Sequence, residues 1–195
     1  DEYYDWYNAS KSVRERYGIP EPVTMAFIHQ ESKFIDDSRP PRKWYLWIIP
    51  GPRPSTAFGY AQALDSTWEE YQRLTGNWSA DRDDFEDAVD FVGWYNQRTV
   101  KRTGVKSHDA YRLYLAYHEG AGGYLRGSYK SKPWLIKVAK KVQRRATAYQ
   151  RQLNRCREEL DDDWFWRSIF GFEGQVPVAN AGQREQHVSW RSVSG

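Results

Sequence analysis

The feature that most limits what this chain can fold into is the spacing of its apolar residues, which is helical almost everywhere outside one interruption. Phe85, Ala88, Val89, Val92, Tyr95 and Thr99 recur at the i, i+3, i+4, i+7 intervals of one helix face. Leu135, Val138, Val142, Ala146, Tyr149 and Leu153 stripe one face of a long basic helix in the same way. Residues 3–17 contain no helix breaker before Gly18, and Pro22 suits the first turn of a second helix running from Val23 to about Ser32. Ser107 is the expected N-cap of a helix through Tyr111, Leu115 and His118, with Gly120, Gly122 and Gly123 ending it. The interruption is residues 38–57, where Pro40, Pro41, Pro50, Pro52 and Pro54 surround the run Trp44-Tyr45-Leu46-Trp47; this predicts a long loop or short hairpin. After Phe170 the chain is rich in Gly, Ser and Gln with no period, as expected of a peripheral or extended tail. The pattern predicts a mainly α fold: one domain over residues 1–158 with a loop insertion at 38–57, followed by a C-terminal extension over 159–195.

Composition narrows the function classes. The chain holds 10 Trp, 14 Tyr and 8 Phe among 195 residues, enough aromatics both to fill a core and to stack on the apolar faces of sugars. The net charge is only +3, yet residues 132–158 carry nine Lys/Arg and one acidic residue. By charge such a helix could meet nucleic acid, acidic lipid or an acidic polymer, or simply present a solvated face; of these, a nucleic-acid partner is not expected. One cysteine, Cys156, excludes an internal disulfide. His118-Glu119 does not start a zinc-protease motif, because the position needing a second His is Gly122. No metal and no cofactor are expected. No apolar run approaches the ~18 residues of a membrane-spanning helix. The chain opens at Asp1 without a signal-like stretch, as a mature or trimmed product would.

The stretch richest in chemical information is Ala26-Phe27-Ile28-His29-Gln30-Glu31-Ser32-Lys33-Phe34. Glu31 falls in the last turn of an apolar helix. Phe27 and Ile28 lie four and three residues before it, and Phe34 and Ile35 three and four after. If the turn continues, all four can surround one carboxyl. Apolar surroundings and the negative end of the helix dipole both disfavour the carboxylate and raise its pKa. A Glu still protonated near neutral pH can donate to a glycosidic oxygen. Taken alone, the segment also fits an ordinary boundary Glu at a helix end.

Gly59-Tyr60-Ala61-Gln62 and Ala116-Tyr117-His118-Glu119-Gly120 follow downstream. With Glu31-Ser32, these fragments resemble the ordered signature of the soluble lytic transglycosylase (SLT) family: Glu-Ser, then Gly-Leu-Met-Gln, then Ala-Tyr-Asn-x-Gly. The resemblance covers roughly residues 15–150. It implies a lysozyme-like domain with its groove between two lobes and peptidoglycan glycan strands as the partner. It implies cleavage of the β-1,4 bond between N-acetylmuramic acid and N-acetylglucosamine with a 1,6-anhydro end, by Glu31 as acid and then base. Ser32, Gly59, Tyr60, Gln62, Tyr117, His118 and Glu119 would bind substrate. The local alternatives are a cap for Ser32, a satisfied amide for Gln62 and core packing for Tyr117. The implied location is the periplasm or cell envelope, an outer-membrane lipoprotein precursor being one form.

The chain departs from the family pattern twice. His118 stands in place of Asn, with Glu119 after it, either as a structural residue paired with an Arg or as a second carboxylate favouring hydrolysis. The long separation of Glu31 from Gln62 comes from the 38–57 insertion, which is either a lid whose Trp44, Tyr45 and Trp47 stack on sugars or a self-packed surface loop. Two other functions fit the same groove: a hydrolytic muramidase like the goose-type lysozymes, and a non-catalytic peptidoglycan-binding module.

Overall fold

The computed structural model describes residues 2–36, 44–45, 49–50 and 56–170, with side chains for 5–36, 56–158 and 160–161. Helices α1 (Glu2–Tyr17), α2 (Glu21–Ser32), α3 (Asp65–Thr75), α4 (Phe85–Thr103) and α5 (Ala110–Arg126) are followed by a 3-10 turn (Ser128–Ser131) and α6 (Pro133–Phe170). The strands among the described residues are β1 (Trp44–Tyr45) and β2 (Ile49–Pro50), paired antiparallel with Trp44 opposite Pro50. The mainly α expectation holds, and the Pro-rich interruption contains a minimal hairpin ladder. The chain divides into two compact units, residues 1–150 and 151–195. In the second, the described structure is the end of α6.

Local chemistry explains the helix limits. Helix α2 starts at Glu21, two residues before the expected Val23, because Pro22 and the acidic Glu21 both suit a first turn. The Asp84 carboxylate caps α4 by accepting from the Asp87 amide at 3.0 Å. The cap of α5 is Asp109, not the expected Ser107: its carboxylate accepts from the Arg112 amide at 3.0 Å, and a charged acceptor complements the positive end of the helix. Gly120 does not end α5 but kinks it. At φ 68° and ψ 157° it adopts a backbone open mainly to glycine, after which the helix resumes to Arg126 and stops at Gly127.

Helix α4 occupies the centre of the first unit. Its Gly93 meets α1 so closely that an added Cβ would lie 2.4 Å from Val13 and 2.7 Å from Tyr17. One turn earlier, Asp90 accepts from Arg16 at 2.9 Å and from the hydroxyls of Tyr17 and Tyr71, both at 2.8 Å. One carboxylate thereby ties α1 and α3 to α4. Trp68, Tyr71, Phe91 and Trp94 form an aromatic cluster between α3 and α4. On α6, Leu135, Ala139, Val142, Ala146 and Tyr149 are buried, while Val138 is only partly covered. The buried stripe is thus rotated by one residue from the expected one at that turn. Lys137, Lys140, Lys141 and Arg144 are exposed, so these charges form a solvated face. Among the described residues no helix is long and apolar enough to cross a membrane.

The contact at Gly93 leaves no room for a methyl group on helix backbone. Gly93→Ala is expected to cost about 1–3 kcal/mol through overpacking, read as a fall of several degrees in the thermal midpoint.

Candidate active site

Helix α2 ends abruptly just after Glu31. Lys33 and Phe34 both adopt left-handed backbone, at φ 56° and 64°, an unusual pair for residues other than glycine. The turn therefore does not continue, and Phe34 and Ile35 do not close around Glu31 as the spacing suggested. Phe34 instead stacks on Trp6 of α1 at 4.7 Å between ring centroids, and Ile35 is half exposed. Phe27 and Ile28 are fully buried. Glu31 keeps some contact with solvent, while protein surrounds its carboxyl closely enough to push its pKa up to about 7.

Tyrosines on α5 supply the rest of this environment. The Tyr114 hydroxyl lies near enough to the Glu31 carboxyl to favour its charged form, which partly offsets the effect of burial. Tyr117, one turn later, lies close enough for the Glu31 charge to raise its own pKa, after the larger effect of burial. Both rings meet Phe27 edge-on, at 5.4 and 5.3 Å, and Tyr95 of α4 meets Tyr117 at 4.9 Å. Tyr114 was not among the residues singled out from sequence. Its position three before Tyr117 on one helix face was the available signal.

The second motif forms a tight turn between Phe58 and Ala63, which pair as an isolated bridge. Gly59 is required there: at φ 76° a Cβ would fall 1.9 Å from the carbonyl oxygen of Arg82. Arg82 pins the turn by donating to Ala63 O at 3.1 Å and to Asp65 at 2.6 Å. The Tyr60 amide donates to Arg82 O at 3.1 Å, and its ring meets Phe85 edge-on at 5.3 Å. Gln62 is left-handed at φ 49°, and its amide donates to Gly59 O at 2.9 Å. The Tyr117 hydroxyl donates to Ala61 O at 2.7 Å. Glu31, Tyr117 and the 59–62 turn are thereby brought together. Ser32 is buried and donates to Ile28 O at 3.2 Å, a bond within its own helix.

His118 and Glu119 serve a different neighbourhood. Glu119 pairs with Lys132 at 2.6 Å, not with an Arg, and also accepts from Ser128; His118 Nδ1 lies 3.0 Å from it. These partners hold its pKa down at about 2. The carboxylate is saturated and anionic, a poor candidate for general acid or base. The His118 ring is exposed and meets Trp134 edge-on at 5.0 Å. Trp47 and the side chains of Trp44 and Tyr45 lie outside the described residues. His29, beside the site, has its Nδ1 2.5 Å from the Tyr149 hydroxyl and is held neutral, with burial and the nearby Arg145, Lys141 and Lys33 lowering its pKa to about 4. Among the described residues no group of His, Cys, Asp and Glu could hold a metal ion.

A family model described as "Transglycosylase SLT domain" matches residues 1–156. No curated protein and no solved structure matches the chain.

The raised pKa of Glu31 has a consequence for stability. The folded chain keeps this proton up to about pH 7, whereas the unfolded chain loses it near the ordinary value of 4.5. The fold therefore loses stability as pH rises between the two. Glu31→Gln is expected to be more stable than wild type at pH 8, by on the order of 2 kcal/mol or about 5 °C, and nearly equal to it at pH 4. Thermal melts at the two pH values read the difference directly.

Proposed function

The chain belongs to the transglycosylase SLT domain family, whose fold is lysozyme-like, and we propose that it is a lytic transglycosylase of bacterial peptidoglycan with Glu31 as its catalytic residue. The observation that carries this reading is a lone carboxyl, reachable yet poorly hydrated, whose pKa near 7 lets it work as acid and base in turn. No second carboxylate among the described residues bears on its titration, and Glu119 is held in its own ion pair. A hydrolase of the two-carboxylate kind would need a second carboxylate to activate water; an intramolecular attack can use the one carboxyl as acid and then as base.

Protonated Glu31 gives its proton to the oxygen joining N-acetylmuramic acid to N-acetylglucosamine as the C1–O bond breaks. The carbonyl oxygen of the muramic acid N-acetyl group bonds to C1 in its place. The C6 hydroxyl then attacks C1, the acetamido oxygen leaves, and the hydroxyl proton passes to the Glu31 carboxylate. The products are a 1,6-anhydromuramic end and an N-acetylglucosamine end, with Glu31 protonated again. Tyr114 is a positioning residue that holds the carboxyl in line. Tyr117 braces the groove wall through Ala61, and the backbone of Gly59 and Tyr60 forms part of that wall. We assign Ser32 and Gln62 to the sugar contacts, through the capacity their local bonds leave. We assign the exposed His118 to the margin of the groove. Work on peptidoglycan places the protein at the cell envelope.

Digestion of purified sacculi tests the proposal. Wild type is expected to release muropeptides one water lighter than hydrolytic products, and Glu31→Gln to lose at least about 10³-fold in rate, as removal of a general acid does. Reducing ends would assign a lysozyme-type hydrolase. Binding without any product would assign a glycan-binding module, and an active Gln variant would remove Glu31 as the catalyst.

The pH profile supplies a second test. Activity should fall as pH rises through about 7, where Glu31 loses its proton. Because the Tyr114 hydroxyl favours the carboxylate, Tyr114→Phe should move this alkaline limb upward while lowering the maximal rate. A rate loss with an unmoved limb would assign Tyr114 to packing alone.

A further inference from the structure

A cleft of about 510 Å3 opens beside the tyrosine wall, lined by Tyr95, Arg98, Lys101, Arg102, Gly120 and Gly122 among others. It adjoins the Glu31 site through Tyr95, whose ring touches that of Tyr117. Its charges are unevenly matched. Arg98 is paired with Glu70 at 2.9 Å, and Lys101 donates to the neutral amide of Gln97 at 3.0 Å. Two further guanidinium groups converge on Gly122. A Cβ on that glycine would lie 3.3 Å from Nη1 of Arg126 and 4.0 Å from Nη2 of Arg102. Neither arginine has a hydrogen-bond or ion-pair partner among the described residues. Two like charges meeting over bare backbone repel each other unless an anion lies between them. A guanidinium fork fits one class of anion best, the planar carboxylate.

We infer that this cleft is the subsite for the peptide stem of the glycan strand, with Arg102 and Arg126 binding a stem carboxylate. The inference rests on the substrate proposed above, since N-acetylmuramic acid carries an acidic peptide on its lactyl group. A muramic acid engaged at Glu31 would have a short path past Tyr95 into the cleft. The kink at Gly120 turns the second half of α5 and carries Gly122 with it, and the absence of a side chain at Gly122 leaves room for the ligand between the two guanidinium groups. The arrangement would make the enzyme sensitive to the chemical state of the stem, preferring free carboxylates to amidated ones.

Binding can be measured apart from cleavage by using Glu31→Gln and a disaccharide-peptide whose stem carboxylates are either free or amidated. In calorimetric titration at low salt the free form should bind about tenfold or more tightly than the amidated form. Adding Arg102→Gln and Arg126→Gln should weaken the free form to the level of the amidated one. Lys137→Gln, a charge removal on the exposed face of α6, should leave both affinities unchanged. Equal affinity for the two ligands, an unchanged affinity in the double arginine variant, or an equal loss with Lys137→Gln would each overturn the subsite. The sacculus digestion reports on Glu31 independently, so failure of the catalyst and failure of the cleft give different results.

Discussion

Desolvation of one carboxyl is the constraint around which the first unit is arranged. A carboxylate taken out of water is costly, and a chain selected for stability alone would place a leucine or alanine at the end of α2. Glu31 is kept there by three aromatic neighbours from two helices, Phe27, Tyr114 and Tyr117. The nearby Tyr114 hydroxyl stabilises the charged form, and burial outweighs it. The balance between these two effects leaves the group poised near neutrality. A second strong donor would move the pKa back toward the ordinary carboxyl value. Without Tyr114 the carboxyl would give up its proton only at higher pH.

Holding that balance requires the surrounding segments to stay in register, and stacked aromatics do much of the holding. Phe34, turned outward by two successive left-handed residues, lies on Trp6. Trp6 in turn stacks on Phe85 at 5.1 Å, and Phe85 meets Tyr60 of the second motif. The end of α2 and the 59–62 turn are thus linked through α1 and the start of α4, while Tyr117 links the same turn to α5. The left-handed pair at Lys33 and Phe34 carries strain of the kind that collects at functional sites. The strain persists because the Trp6 stack holds Phe34 in place.

The helices and much of the candidate site were legible in the sequence because both rest on short-range rules. A buried helix face must repeat near 3.6 residues, and α4 and α6 could be read from that repeat alone. Glu31, Tyr117 and the 59–62 turn could be found because each motif sits where a helix ends or a loop turns. What escaped was set by tertiary geometry. Asp109 and Ser107 are both good caps by type, and the choice depends on where the preceding turn aims the chain. Gly120 reads as a stop, yet a single mirror-image residue permits a kink and a restart. Phe34 reads as a wall for Glu31 only if Lys33 stays helical. Tyr114 looks like core because most tyrosines in that spacing are core, and only its contact with Glu31 distinguishes it. The composition was ambiguous for the same reason: Trp68, Tyr71, Phe91 and Trp94 fill the core while Tyr95, Tyr114 and Tyr117 line the site, with no difference in residue type to separate them.

Helix α5 shows how one element can carry opposing tasks. Before the kink, Tyr114 and Tyr117 face the carboxyl and make a poorly hydrated surface. Two residues later the helix has turned far enough for Glu119 to emerge on another side, where Lys132 and Ser128 hold it as a permanent anion. A carboxylate at that point in the sequence would be a second candidate acid beside Glu31 in the proposed reaction if it faced the groove. The turn of the helix and the ion pair remove it from contention without changing the sequence around Tyr117. Beyond Gly120 the backbone is bare at Gly122 and Gly123, and the local charge becomes positive through Arg126 and the facing Arg102. Neutral aromatic wall, sequestered anion and one unpaired cation, Arg126, follow one another along 17 residues of a single helix. The kink separates them in direction, so the basic end does not act directly on Glu31. A cation placed against that carboxyl would lower its pKa and abolish the acid that the fold maintains.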